Sequence, residues 1–217
     1  MFDVPVSFKI KAYADEMAKV DVGRKDKLSN GTPQQQWTGH VGEFTVYEIL
    51  ELSYLIDQKI ASHGFDGGCD VSVKGYRIDV KTMGRTVPVK GEYVNNLMAC
   101  QMKFDVNAYL FCSYNKTNSI LSVCGWMPKE SIKDMAEFHK KGDTVHRSDN
   151  TTFIAREDMY CVANKDLLGW EIDRQDWFID SLIGRDKAEK VCVEQKVDID
   201  KQVQDVLAKF KQPELFQ

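Results

Sequence analysis

The chain has no apolar run approaching the roughly 20 residues of a membrane-spanning helix. Its opening stretch, "MFDVPVSFKIKAYADEM", also lacks the continuous apolar core of a secretory signal. A cytoplasmic protein without a membrane partner is the expectation. The six cysteines, Cys69, Cys100, Cys112, Cys124, Cys161 and Cys192, contain no C-x-x-C pair. That spacing excludes the usual thiolate frameworks of zinc and iron–sulfur sites, and free, mostly buried thiols are expected. Charge of neither sign dominates: 29 Lys and Arg stand against 33 Asp and Glu, a formal charge of −4. A non-specific nucleic-acid coat protein would be basic. An enzyme acting on nucleic acid is not excluded, because acidic metal ligands raise the negative count and local basic patches still hold phosphate. No internal repeat or low-complexity tract occurs. With 43% hydrophobic residues in 217, the chain has material for one substantial core, and a single domain with decorations is expected.

Residues 8–19, "FKIKAYADEMAK", predict a short amphipathic helix, and the polar stretch that follows predicts a loop or arm completing an N-terminal segment 1–37. A long, largely buried helix is expected from Thr38, acting as its cap, through "GHVGEFTVYEILELSYLIDQKIAS". A hairpin follows. "EYVNNLMACQMKF" reads as a polar helix, "NAYLFCSYN" and "SILSVCGWMP" as strands, and Pro128 opens a helix over "KESIKDMAEFHKK". Two short strands, "TTFIAR" and "MYCVAN", lie in the segment 131–211, whose remainder reads as helical. The order of elements gives an α+β fold, a central mixed sheet flanked by helices.

The chemistry concentrates in "GGCDVSVKGYRIDVKT", Gly67 to Thr82. Lys74-Gly75 suits a two-residue hairpin loop, with glycine where a type I′ turn needs positive φ. Closing there pairs Val73 with Tyr76, Ser72 with Arg77, Val71 with Ile78 and Asp70 with Asp79. Alternation places Val71, Val73, Tyr76, Ile78 and Val80 on one side, and Asp70, Ser72, Arg77, Asp79 and Lys81 on the other. Directly opposed side chains have Cβ atoms roughly 4.5–5.5 Å apart, where like charges repel. A hard divalent cation suits that gap. Lys81 would lie roughly 6–7 Å along the strand from Asp79. A surface salt-bridge ladder is the bland alternative; it would contribute little and would leave two opposed acids unexplained.

With "D-x8-D-x-K" on the hairpin and "GHVGE" (Gly39 to Glu43) on the preceding helix, the chain resembles the PD-(D/E)XK nuclease superfamily, the restriction-endonuclease-like fold, over residues 38–130. The resemblance implies Mg²⁺ ligation by Asp70, Asp79 and Glu43, with the main-chain carbonyl of Val80 as a further ligand, Mn²⁺ as a substitute, and Lys81 as catalytic lysine. Cys69 stands where the family usually has proline, and the first core strand is not obvious before Asp70. Asp66 competes with Asp70, and Glu48 and Glu51 compete with Glu43. The resemblance also makes Gln101 and, beside it, Lys103 candidates for nucleic-acid contact, against the ordinary reading of solvated polar residues. Lys74 and Arg77 on the hairpin and Arg85 in "MGRTVPVK" are candidates for the same role.

The expected activity is a metal-dependent deoxyribonuclease, an endonuclease of recombination, repair, restriction or phage DNA processing. Within the fold the alternative is an exonuclease or Holliday junction resolvase, which would form a homo-oligomer. From another class, the alternative is a non-catalytic nucleic-acid or protein-binding module. The tail 212–217 holds Gln212, Leu215 and Phe216 in a pattern resembling the Q-x-x-L-F peptide that docks on sliding clamps. The competing reading is a tail packed on the protein's own surface.

Overall fold

The computed structural model describes residues 1–22, 31–62, 68–73, 75–147 and 151–183. A strand unforeseen from the sequence, β1 (Phe2–Pro5), precedes the first helix, α1 (Phe8–Val22). On α1, Ile10, Ala14 and Met17 are buried at the i, i+4, i+7 spacing of a helix seated on a core.

Helix α2 (Pro33–Ile49) starts earlier than expected. Thr32, not Thr38, is its cap: the Thr32 side chain accepts from the Gln35 amide while Gln35 Oε1 accepts from the Thr32 amide, and proline follows the cap. This reciprocal box satisfies two amide donors that a helix start otherwise leaves unpaired. Thr38 lies inside the helix, donating its hydroxyl to the Gln34 carbonyl at 2.8 Å. The expected single long helix is two. Glu51 takes a left-handed conformation (φ 58°) just beyond α2, and α3 (Tyr54–Ser62) sets off separately.

The hairpin is β2 (Val71–Val73) and β3 (Tyr76–Arg85). The expected helix over "EYVNNLMACQMKF" is instead β4 (Val94–Met98) and a 3₁₀ turn, Ala99–Lys103. Alternation decides it: Asn95 and Leu97 are both 1% exposed. A polar residue at a core position hides that alternation in the sequence. The side-chain amide nitrogen of buried Asn95 donates to Asn164 Oδ1 at 2.8 Å.

Strands β5 (Ala108–Asn115) and β6 (Ile120–Pro128) match expectation. The helix expected after Pro128 shrinks to a 3₁₀ turn, Lys129–Ser131, and one turn of α4 (Ile132–Met135) before β7 (Glu137–His139). Phe138 lies opposite Tyr160 with ring centres 5.0 Å apart, a cross-strand aromatic pair that outweighs local helix propensity. The chain continues through β8 (Thr144–His146), β9 (Thr152–Ile154), β10 (Met159–Ala163) and α5 (Gln175–Ile183).

The main sheet has the order β1-β6-β5-β3-β2, with β3 and β5 parallel and the other neighbours antiparallel. This is an α+β fold with a mixed central sheet. Helices α1, α2, α3 and α5 share one core with its first face through Val71, Ile78, Val80, Leu110 and Leu121. On the second face, Tyr109 and Phe111 of β5 meet Leu97 and Val162 from a small sheet ordered β4-β10-β7. Among the described residues, no strand lies between α3 and β2, and no helix is long and apolar enough to cross a membrane. Cys69, Cys112, Cys124 and Cys161 are buried free thiols, as expected, whereas Cys100 is an exposed one.

Gly42 sets the distance between α2 and β3. A Cβ there would lie 1.8 Å from Thr82 Oγ1. Gly42→Ala is therefore expected to destabilise the protein by about 1–3 kcal/mol through overpacking, read as a lower urea midpoint. Thr82→Ala in the same chain should recover part of the loss. An unchanged midpoint in the single variant would refute so close an approach.

Candidate functional site

The hairpin register is the expected one: Val73 pairs with Tyr76, Ser72 with Arg77 and Val71 with Ile78, and Gly75 has φ 75°. Lys74 lies outside the described residues. Asp70 extends the arrangement past the last ladder pair. Its amide donates to the Ile78 carbonyl at 3.0 Å, and its Oδ2 accepts from the Val80 amide at 2.8 Å. The parallel register puts Asp79 beside Tyr109 and Lys81 beside Phe111, on the face opposite Val80.

Three carboxylates and two ammonium groups follow one another here. Lys81 donates to Asp79 Oδ1 at 2.6 Å. Lys59 contacts Glu43 Oε1 and lies 3.7 Å from Asp70 Oδ1. His40 Nδ1 is 3.6 Å from Glu43 Oε2, one helical turn away, with its ring stacked on Phe44. Tyr47, four residues beyond Glu43 and on the same side of α2, donates its hydroxyl to the Asp70 carbonyl at 2.6 Å. Of the competing acids, Glu43 is buried, Glu48 and Glu51 are exposed, and Asp66 lies outside the described residues. The structure thus brings Glu43, Asp70, Asp79 and Lys81 into one neighbourhood.

Lys59, Tyr47 and His40 belong to it as well, although no sequence motif singled them out. Lys59 comes into reach only because the chain breaks at Glu51 after α2. The separate helix α3 then returns this lysine toward Glu43.

Burial raises Asp79 well above the usual carboxylate range, and the neighbouring Asp70 charge adds to the effect against the opposing pull of Lys81. Burial also acts upward on Asp70, but Lys59, Lys81, the Asp79 carboxyl and the Val80 amide together hold it below its usual value. Glu43 is raised by burial and by Asp70, with Lys59 opposing. Written as a carboxylate, Asp79 has a buried Oδ2 that accepts nothing. Carrying a proton, it would donate to Asp70, which fits the opposite shifts of the two acids.

Among the described residues, no three His, Cys, Asp or Glu side chains come together as a ready-made metal site. Lys59 accounts for the third carboxylate, since its ammonium engages Glu43. The remaining donor set still fits a hard cation. Asp70 and Asp79 are adjacent oxygen ligands, and a divalent ion would take the place of the proton at the buried Asp79 Oδ2.

The other candidates are dispersed. Arg77 bonds Asp105 Oδ2 at 2.9 Å, and its amide donates to Asn107 Oδ1, tying the hairpin to the loop before β5. Gln101 sits on the 3₁₀ turn, where its carbonyl accepts from the Tyr109 hydroxyl. Lys103 lies 5.8 Å from the Phe104 ring centre. Arg85 is at the far end of β3. Gln212, Leu215 and Phe216 lie outside the described residues. No protein-family model, curated protein or solved structure matches the chain.

Proposed function

We propose that the protein is a metal-dependent deoxyribonuclease of the PD-(D/E)XK type, cleaving DNA phosphodiester bonds endonucleolytically. The observation that carries the reading is the pairing of half-buried Asp70 with buried Asp79, with Lys81 beside them. Ionising both acids so close together, with one of them in the core, is costly, an arrangement that is useful where a cation and a charged substrate relieve it.

Asp70 and Asp79 would hold Mg²⁺ or Mn²⁺, with the Val80 carbonyl as the expected main-chain ligand. When bound, such an ion withdraws charge from a phosphate and acidifies water. The chain's own residues do the rest. Lys81, held to Asp79 at 2.6 Å, is placed to orient or deprotonate the attacking water and to offset charge on the phosphate oxygens. Tyr47 and the Val80 amide fix Asp70 from both its carbonyl and its carboxylate, so the acid does not depend on the ion for its position. Lys59 takes Glu43 out of direct competition.

The purified protein is expected to nick or linearise supercoiled plasmid in Mg²⁺ or Mn²⁺ and not in EDTA. Linear duplex, single strands and a four-way junction assayed in parallel would separate endonuclease from exonuclease and resolvase. Failure to cleave any of them in either metal, with the fold intact, would overturn the reading.

One observation favours the second reading, a non-catalytic binding module. Lys59 supplies a positive charge between Glu43 and Asp70 without any metal. Metal-independent binding of nucleic acid without cleavage would support it.

A further inference from the structure

A cleft of about 260 Å³ opens at the end of β3, lined in part by Met83, Arg85, Glu92, Tyr93, Asn96 and Arg147. Its two guanidinium groups come from different layers, Arg85 from the main sheet and Arg147 from the end of β8. Each is seated on an aromatic ring. The Arg85 guanidinium lies 4.5 Å from the Tyr93 ring centre, and that of Arg147 lies 4.7 Å from the Phe153 ring centre. A guanidinium seated over a ring is held in place by the ring's π face, and a guanidinium is the side-chain group best suited to phosphate. Arg85 uses part of that edge on the Val94 carbonyl, at 3.2 Å. The Arg147 backbone is held by its amide bond to the Thr151 carbonyl, at 2.8 Å, while its side chain stays exposed.

Strand alternation links the cleft to the acids. Asp79, Lys81, Met83 and Arg85 point to one side of β3. Met83, the first of the cleft residues, is one side-chain step beyond Lys81. At about 3.3 Å per residue, Arg85 lies about 13 Å from Lys81 along the strand, near four base-pair rises of a duplex. Two arginines against the single acid Glu92 make this a locally positive place in a chain of formal charge −4.

We infer that this cleft is a phosphate-strand subsite, in which Arg85 and Arg147 hold the DNA backbone on one side of the bond to be cut. The inference rests on the nuclease reading for its direction, since it places the cleft downstream of Lys81 on the same face.

The test measures binding apart from cleavage. Fluorescence anisotropy with a short labelled duplex, in EDTA and over a range of salt, would compare Lys81→Ala protein with the same protein carrying Arg147→Ala, Arg147→Lys or Arg85→Gln. Arg147→Ala and Arg85→Gln should each weaken binding about three- to tenfold and flatten the slope of log K against log salt by about 1, as the loss of one phosphate contact does. Arg147→Lys should keep the slope. A purely structural arginine would not move the slope, and circular dichroism would confirm the fold. Binding with unchanged affinity and slope in the alanine and glutamine variants would overturn the cleft, as would absence of duplex binding altogether. Plasmid cleavage by protein with Lys81 intact is scored separately. Cleavage with an unaltered slope rejects the cleft alone, and an altered slope without cleavage rejects the nuclease and keeps the cleft as a nucleic-acid site.

Discussion

Lys81→Ala should lower DNA cleavage about 10²- to 10⁴-fold while leaving the fold and the response to metal in place. The lysine is partly exposed, and its ammonium reaches Asp79 from the open side. Removing it deletes the ammonium that the proposal sets beside the phosphate, without opening a core cavity. Asp79→Asn should lose as much activity for a different reason. Its carboxylate would be a direct ligand, so thermal stabilisation by Mg²⁺ should vanish in Asp79→Asn and persist in Lys81→Ala. Parallel melting curves and plasmid assays separate the two roles. Equal Mg²⁺ stabilisation of both variants would remove Asp79 from the metal-binding set, and residual activity above a tenth in Lys81→Ala would remove the lysine from the chemistry.

The second large effect is on stability against pH in the metal-free protein. Asp79 has a folded-state pKa well above its ordinary 3.8, so the folded chain binds its proton more tightly than the unfolded chain does. The resulting stability is fully present below 3.8 and is lost as pH rises through the raised folded value. Glu43, shifted in the same direction from 4.5, adds to the trend. Asp70 runs the other way: its folded value is lowered, so its contribution is present above 3.8 and disappears as pH falls through that lowered value. In EDTA, Tm should therefore climb by a few degrees from about pH 8 to about pH 5 before acid reverses it. Asp79→Asn should flatten the climb, and excess Mg²⁺ should raise the alkaline end. A Tm that falls steadily from pH 8 to pH 5, unaffected by Asp79→Asn, would contradict the coupling of buried Asp79 to Asp70.

The hairpin was legible because its signal is local. A two-residue loop ending in glycine and strict alternation from Val71 to Lys81 determine which side chains share a face. Strands β5 and β6 were legible from their dense apolar content. Strand β4 was not, since Asn95 occupies a core position whose partner, Asn164, lies far along the chain. Lys59 was hidden similarly, because its role depends on where α3 points after the chain turns at Glu51. Glu43 could be chosen over Glu48 and Glu51 only by analogy at the level of sequence, whereas burial now distinguishes them. The pairing of Arg147 with Arg85 had no sequence signal, as it joins two separate sheets.

The eight-pair register between β3 and β5 also constrains how such a protein can change over generations. Because β3 is pinned along that length, any residue gained or lost in the turn at Gly75 must be absorbed by the short β2. A slip by one residue there would point Val71 and Val73 away from their core and carry Asp70 off the Val80 amide. Both aspartates and the lysine would still be present in the mutated gene. Insertions and deletions at this one turn should thus be purged as strictly as substitutions of the acids themselves.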